Sequence, residues 1–217
     1  MTSYIILFFL VVNLIPFIRK FLRITSTMFH EIGHALMALF CSGKVHRIYL
    51  YKDASGAAVT SNENWISRFL TSLAGYPAEV LVVSAFIHLL YSQSEKIILI
   101  ILIATTLFSL LFVRNIFGWL WVLVIGGFSV AAFVNISEPW PIYFLLFLTV
   151  NMLVENIFSS MIICWRSCKY PKDAGDTTSL AHLTKIPAFL WGMVFLGFTT
   201  YIIATTLPYF FHIKMPI

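Results

Sequence analysis

The stretch ITSTMFHEIGHALMALFC, residues 24–41, is apolar over most of its length, yet it carries His30, Glu31 and His34 within five positions. Ionisable groups in hydrocarbon are costly, so three together mark a functional site. On a helix His30 and His34 stand one turn apart on a shared face, with a rise of about 6 Å, within reach of a single ion. This is HExxH spacing. Imidazole suits zinc, and Glu31, displaced by about 100° around the helix, can lean over the ion's open position and take a proton from the water it binds. With six His and six Glu among 217 residues, random placement gives the motif roughly once in 200 such chains.

Around this stretch the chain is 60% hydrophobic and 11% charged, with a mean hydropathy of +0.91, against roughly 25% charged in soluble domains. Apolar runs near the length needed to cross a bilayer recur at 3–18, 24–41, 65–91, 97–113, 116–134, 140–165 and 186–211. The expectation is an all-α polytopic membrane protein of six to seven transmembrane helices, forming one integral membrane domain over 1–217. No basic residue precedes the first apolar run and no small-residue cleavage site follows it, so it reads as an anchor and not a cleaved signal. The net charge of +5 sits in short loops such as RKFLR and CWRSCKYPK, which fits topology and lipid headgroups, not nucleic acid. Seven full spans would put Arg19, Lys20 and Arg23 opposite Lys44, Arg47, Lys52, Arg166, Lys169, Lys172 and Lys185. The charges therefore conflict on orientation, unless one apolar run is re-entrant. Cys41, Cys164 and Cys168 are an odd set without a CxxC pair, so free thiols are expected.

A catalytic zinc usually takes three protein ligands plus water. Apart from Glu31, the acidic residues are Asp53, Asp173, Asp176, Glu63, Glu79, Glu95, Glu138 and Glu155. After the HExxH run, KVHRIYLYKDASGAAVT alternates Val45, Arg47, Tyr49 and Tyr51 against His46, Ile48 and Leu50, and Ser55-Gly56 signals a turn; this reads as a hairpin. Its edge suits the main-chain capture of an unwound segment, against the plainer reading of an ordinary interfacial loop. In SLAGYPAEV, Gly75 and Pro77 mark a kink or a close approach to the HExxH helix, and Glu79 is a candidate partner for a ligand histidine. In NMLVENIF, Asn151, Glu155 and Asn156 lie in an apolar span. An asparagine there is a candidate oxyanion donor, against the plainer readings of interhelical hydrogen bonding or a Glu155–Arg114 pair. His46, His88, His182 and His212 have no ligand spacing, although His182 lies close enough to Asp176 in sequence to be a supporting partner.

The chain resembles the site-2 protease family of intramembrane zinc metalloproteases, in its small bacterial-type branch without accessory domains. The resemblance rests on FHEIGHALMALFCSGKVHRIYL, SGAAVT, SLAGYPAEV and GDTTSLAHLTKIPAFLWG, and covers most of the chain. It implies a late aspartate as third zinc ligand, placed before a leucine-alanine pair and a proline-alanine, as Asp176 stands before Leu180, Ala181, Pro187 and Ala188. The family's commoner pattern has glycine after the aspartate, whereas Thr177 follows and Gly175 precedes it here, which keeps Asp173 open as the alternative. The metal set so implied is His30, His34 and Asp176 on Zn²⁺, with Glu31 catalytic. The resemblance also implies a sheet-like segment that holds substrate, membrane protein substrates in the lipid bilayer, and a multi-pass protein of a bacterial plasma membrane. The alternative is a membrane protein that binds zinc without proteolysis, as a sensor, chaperone or transporter subunit. A late-glutamate metalloprotease of the prenyl-protein type is disfavoured, since no glutamate follows Glu155.

Overall fold

The computed structural model describes residues 7–9, 11–12 and 15–213. Eight helices and one hairpin account for most of them. Helix α1 (Pro16–Phe40) carries the HExxH stretch and begins on a proline, whose missing N–H costs nothing in a first turn. It leads into β1 (Lys44–Leu50) and β2 (Gly56–Ser61). Then follow α2 (Trp65–Leu73), α3 (Gly75–Tyr91), α4 (Glu95–Phe112), α5 (Ile116–Val134), α6 (Trp140–Lys169), α7 (Asp176–Thr184) and α8 (Ala188–Phe211). Helices α3, α6 and α8 pack on one another, α1 lies against α3 and α6, and α4 pairs with α5.

Among the described residues four helices, α4, α5, α6 and α8, are long and apolar enough to cross a membrane, and a fifth crossing results if α2 and α3 act as one bent span. Four or five crossings are thus recognised there by length and apolarity, against the six to seven expected over the whole chain. The run at 24–41 does not stand as a span on its own apolarity, because α1 also carries Arg19, Arg23, Thr25, Ser26, Thr27 and the HExxH triad. Its neighbours enclose it instead: Ile24, Thr25, Ser26, Met28, Phe29, Glu31, Ile32, His34 and Ala35 are all buried. Seven of the sixteen positions of the expected span at 3–18 lie outside the described residues. The three cysteines are free, as expected.

The run at 65–91 is broken by 46° between α2 and α3. Pro77 cannot donate to the carbonyl four residues back, that of Leu73, and its ring crowds that carbonyl, so α2 ends there and the chain turns. At α2's start, Asn64 accepts from the Ser67 amide at 2.8 Å and closes a capping box.

The hairpin is antiparallel, pairing Arg47 with Val59, Tyr49 with Ala57 and Leu50 with Gly56. A bulge between Val45 and Arg47 breaks the alternation, so Val45 packs on the core beside Ile48 and Leu50 instead of sharing the outer face of Arg47 and Tyr49. Ile48 and Leu50 turn their backbone groups away from β2: the Arg114 amide donates to the Ile48 carbonyl at 3.1 Å, and the Asn115 side chain bonds both backbone groups of Leu50. Their partners Ala58 and Gly56 therefore face outward on the opposite edge, since antiparallel ladders alternate inward and outward pairs. Among the described residues no further strand pairs with that edge.

Gly33 sets the distance between α1 and α3, because a Cβ there would stand 2.6 Å from Ala78 Cβ and 3.1 Å from the Ala74 carbonyl. Gly33→Ala is expected to cost about 1–3 kcal/mol through overpacking, read as a lower unfolding temperature in detergent. Adding Ala78→Gly in the same chain should recover most of the loss.

Candidate metal centre

Helix α1 places its two imidazoles edge to face, with His30 Nε2 and His34 Nε2 3.1 Å apart. The first residue of α7 closes the group. Asp176 Oδ2 lies 3.1 Å from His30 Nε2 and 3.3 Å from His34 Nε2. Two nitrogens and one oxygen thus form a nearly equilateral triangle. Ligands about 2.0–2.1 Å from a tetrahedral zinc stand about 3.3 Å from one another, so a cation above the triangle's centre fits this donor set with little rearrangement. Among the described residues this is the one group of three such side chains with metal-binding spacing.

A hydrogen bond behind His34 and a facing carboxylate behind His30 set which nitrogen of each imidazole meets the cluster. His34 Nδ1 is 2.6 Å from the Thr71 carbonyl at the end of α2; a carbonyl only accepts, so Nδ1 carries the proton and Nε2 keeps a lone pair. His30 Nδ1 faces the carboxylate of Glu79 on α3, with Oε2 at 3.7 Å. Glu79 is buried and takes a 3.3 Å hydrogen bond from Asn156 Nδ2 on α6. The break between α2 and α3 also presents Gly75 to the site, where a Cβ would stand 2.5 Å from both Nε2 atoms. Only a glycine leaves that face open to an ion. The Tyr76 ring meets His30 edge-on at 4.6 Å.

Glu31 is buried beneath the hairpin. Gly56 lies directly against its carboxylate, and the outward amide of Ala58 donates to it. A cavity of about 450 Å³ joins Glu31, the two histidines, Asp176, the edge of β2, Tyr76, Glu79 and Arg23.

Asp176 is carried by a tightly bonded turn. Gly175 has φ +58°, a left-handed value that a side chain would strain. The Thr177 hydroxyl donates to the Ala174 carbonyl at 3.0 Å and lies 2.7 Å from the Ser167 hydroxyl, while Thr178 Oγ1 accepts from the Ala174 amide at 2.8 Å. Asp173 stands apart. Its side chain is 93% exposed and lies 3.7 Å from Arg166, away from both histidines.

The other polar residues of α6 have structural partners. Glu155 is buried and pairs with Arg19, and with Arg23 at 3.6 Å, not with Arg114, whose guanidinium caps the carbonyls of Leu111 and Val113. The Arg19 guanidinium also lies 3.6 Å over the Phe158 ring. The sequence reading missed this pairing because Arg19 and Glu155 are 136 positions apart. Asn151 does not line the cavity, and His182 is exposed outside it. The Thr71 carbonyl was equally hidden, since a backbone group leaves no trace in residue identity. Tyr76 lies within SLAGYPAEV beside Gly75, where its residue type alone does not mark it as facing the site.

Charge balance favours a divalent ion. Glu31, Glu79, Glu155 and Asp176 bring four negative charges when ionised, and Arg19 and Arg23 return two positive ones, so a doubly charged cation makes the enclosed set neutral. Uncompensated charge in so apolar a surrounding is strongly disfavoured.

Comparison with curated proteins and with solved structures gives no match. The Peptidase M50B-like family model matches residues 1–206 of the 217, and the chain therefore belongs to that family of membrane metallopeptidases, within the site-2 protease group.

Proposed function

We propose that the protein is an intramembrane zinc endopeptidase that hydrolyses peptide bonds of membrane-embedded proteins, with His30, His34 and Asp176 holding Zn²⁺ and Glu31 as general base. The observation that carries this reading is the triangle of two Nε2 atoms and one carboxylate oxygen at 3.1–3.3 Å, beside a buried glutamate and open to a polar cavity. Bound zinc would polarise the scissile carbonyl and acidify water at the site.

The chain's own groups do the rest. Thr71 and Glu79 hold the imidazoles with Nε2 toward the cluster, which keeps both as neutral donors. Glu31 takes a proton from the attacking water and delivers it to the leaving nitrogen as the C–N bond breaks. The Ala58 amide fixes that carboxylate, so the base is oriented by the same strand that borders the cavity. A transmembrane substrate is helical and its peptide bonds are shielded. Apart from the Ala58 amide, which Glu31 takes, the outward backbone groups along β2 beside the cavity offer an unwound segment main-chain hydrogen bonds in place of those it loses on leaving its helix.

In detergent-purified protein, Glu31→Gln is expected to retain zinc by elemental analysis while cleavage falls by about 10²-fold or more. His34→Ala and Asp176→Asn should lose the metal, and Asp173→Asn should keep it; zinc retained in Asp176→Asn would exclude this ligand set. Glu79→Ala should weaken zinc binding by about 10–100-fold in a competition titration with a chromophoric chelator, because His30 then loses the carboxylate behind it.

A further inference from the structure

Adding water to a peptide carbonyl puts negative charge on its oxygen, and a preorganised donor at that point is worth about 10²–10³ in kcat. The asparagines of α6 do not supply it. Asn156 donates both amide hydrogens elsewhere, to Glu79 at 3.3 Å and to the Met152 carbonyl at 2.8 Å, and Asn151 is off the cavity. Arg23 and Arg166 border the cavity, but each is engaged by a carboxylate, Glu155 and Asp173.

Tyr76 is placed differently. It follows Gly75, the residue in contact with both Nε2 atoms, and it lines the cavity. Its ring is clamped between His30, 4.6 Å away and edge-on, and Phe195, 4.7 Å away and tilted. Both contacts are to the ring, so the direction of the C–O bond is set while the hydroxyl stays uncommitted. Tyr76 is half-buried, and among the described residues no hydrogen bond engages its hydroxyl. Asp176, Glu79, Arg23 and Glu31 line the same cavity as Tyr76.

We propose that Tyr76 is a further catalytic residue, whose phenolic O–H donates a hydrogen bond to the oxyanion formed as water adds to the scissile carbonyl. The inference rests on the endopeptidase reading and adds to it a source of transition-state stabilisation within the chain. In the step itself the water oxygen bonds to the carbonyl carbon and the carbonyl π pair moves to its oxygen. The water's proton goes to Glu31 and then to the leaving nitrogen as the C–N bond breaks. Tyr76 keeps its proton throughout. A donor that bonds the oxyanion more strongly than the ground-state carbonyl raises kcat and leaves KM nearly unchanged.

Tyr76→Phe removes one oxygen and keeps the ring contacts with His30 and Phe195. The test compares it with wild type and with Glu31→Gln in zinc-loaded, detergent-solubilised protein, using fluorescein-labelled casein for turnover. A peptide phosphinate, whose anionic oxygens copy the oxyanion, reports binding by displacement of a fluorescent hydroxamate. The expected result for Tyr76→Phe is unchanged zinc content, kcat lower by about 10²-fold, KM within about twofold, and phosphinate affinity lower by about tenfold. If kcat and phosphinate affinity both stay within about twofold of wild type while Glu31→Gln is inactive, the role of Tyr76 is overturned and the endopeptidase reading stands. Turnover retained by Glu31→Gln overturns that reading instead. Should wild type leave casein intact, the phosphinate comparison decides: equal affinity in the two proteins refutes the inference, and a loss confined to Tyr76→Phe supports it.

Discussion

The arrangement of this protein follows from one electrostatic constraint: charged side chains held among apolar helices must be neutralised by other parts of the same fold. Helix α1 presents Arg19, Arg23, His30, Glu31 and His34 within four to five turns, and no stretch of lipid accommodates them. Each is answered from a different element. Glu155 of α6 meets the arginines, Glu79 of α3 and the Thr71 carbonyl of α2 stand behind the imidazoles, β2 covers Glu31, and α7 delivers Asp176. The polar groups therefore act as cross-links that tell the apolar helices where to sit, a specificity that Leu–Leu contacts between lipid-exposed helices do not supply.

Local irregularities are placed where this compensation needs them. Pro77 ends α2 early, and in its last turn the Thr71 carbonyl accepts from the Ala74 amide and from His34 Nδ1 together. The same break brings Gly75 into contact with both imidazoles, so the kink and the open face of the site share one cause. Gly175 allows the left-handed residue that starts α7 at the level of the histidines, and Thr177 and Ser167 secure the turn from beneath. In the hairpin, the segment around residues 113–115 occupies the edge of β1, leaving β2 as the edge beside the cavity.

Legibility in the sequence tracked how local each cause was. The HExxH spacing, the hairpin and the Gly75–Pro77 break are written within a few adjacent residues, and each could be read there. The pairing of Glu79 with His30 was visible as a polar residue in an apolar helix, although its distance was not. Hydropathy is least informative where polarity is compensated by packing: α1 carries charged and polar groups among its apolar residues, and its enclosure arises from contacts with α3 and α6. The bulge beside Arg47 moved Val45 to the core, because a strict period of two has no place for an extra residue. Glu155 meets Arg19 and Arg23 and not the sequence-nearer Arg114 for a related reason. Charge pairing across 136 positions depends on the tertiary packing of α1 on α6, which composition does not encode. The late aspartate was narrowed by family resemblance, and the fold separates Asp176, beside the histidines, from Asp173, exposed beside Arg166.

The central claim is that two imidazoles and one late carboxylate enclose a divalent ion. X-ray absorption at the zinc edge of the purified, zinc-loaded protein tests it most directly. The account predicts a first shell of nitrogen and oxygen at about 2.0–2.2 Å with outer-shell scattering from two imidazoles. A first shell dominated by sulfur at about 2.3 Å, which would point to Cys41, Cys164 or Cys168, or a preparation that takes up no zinc, would contradict it.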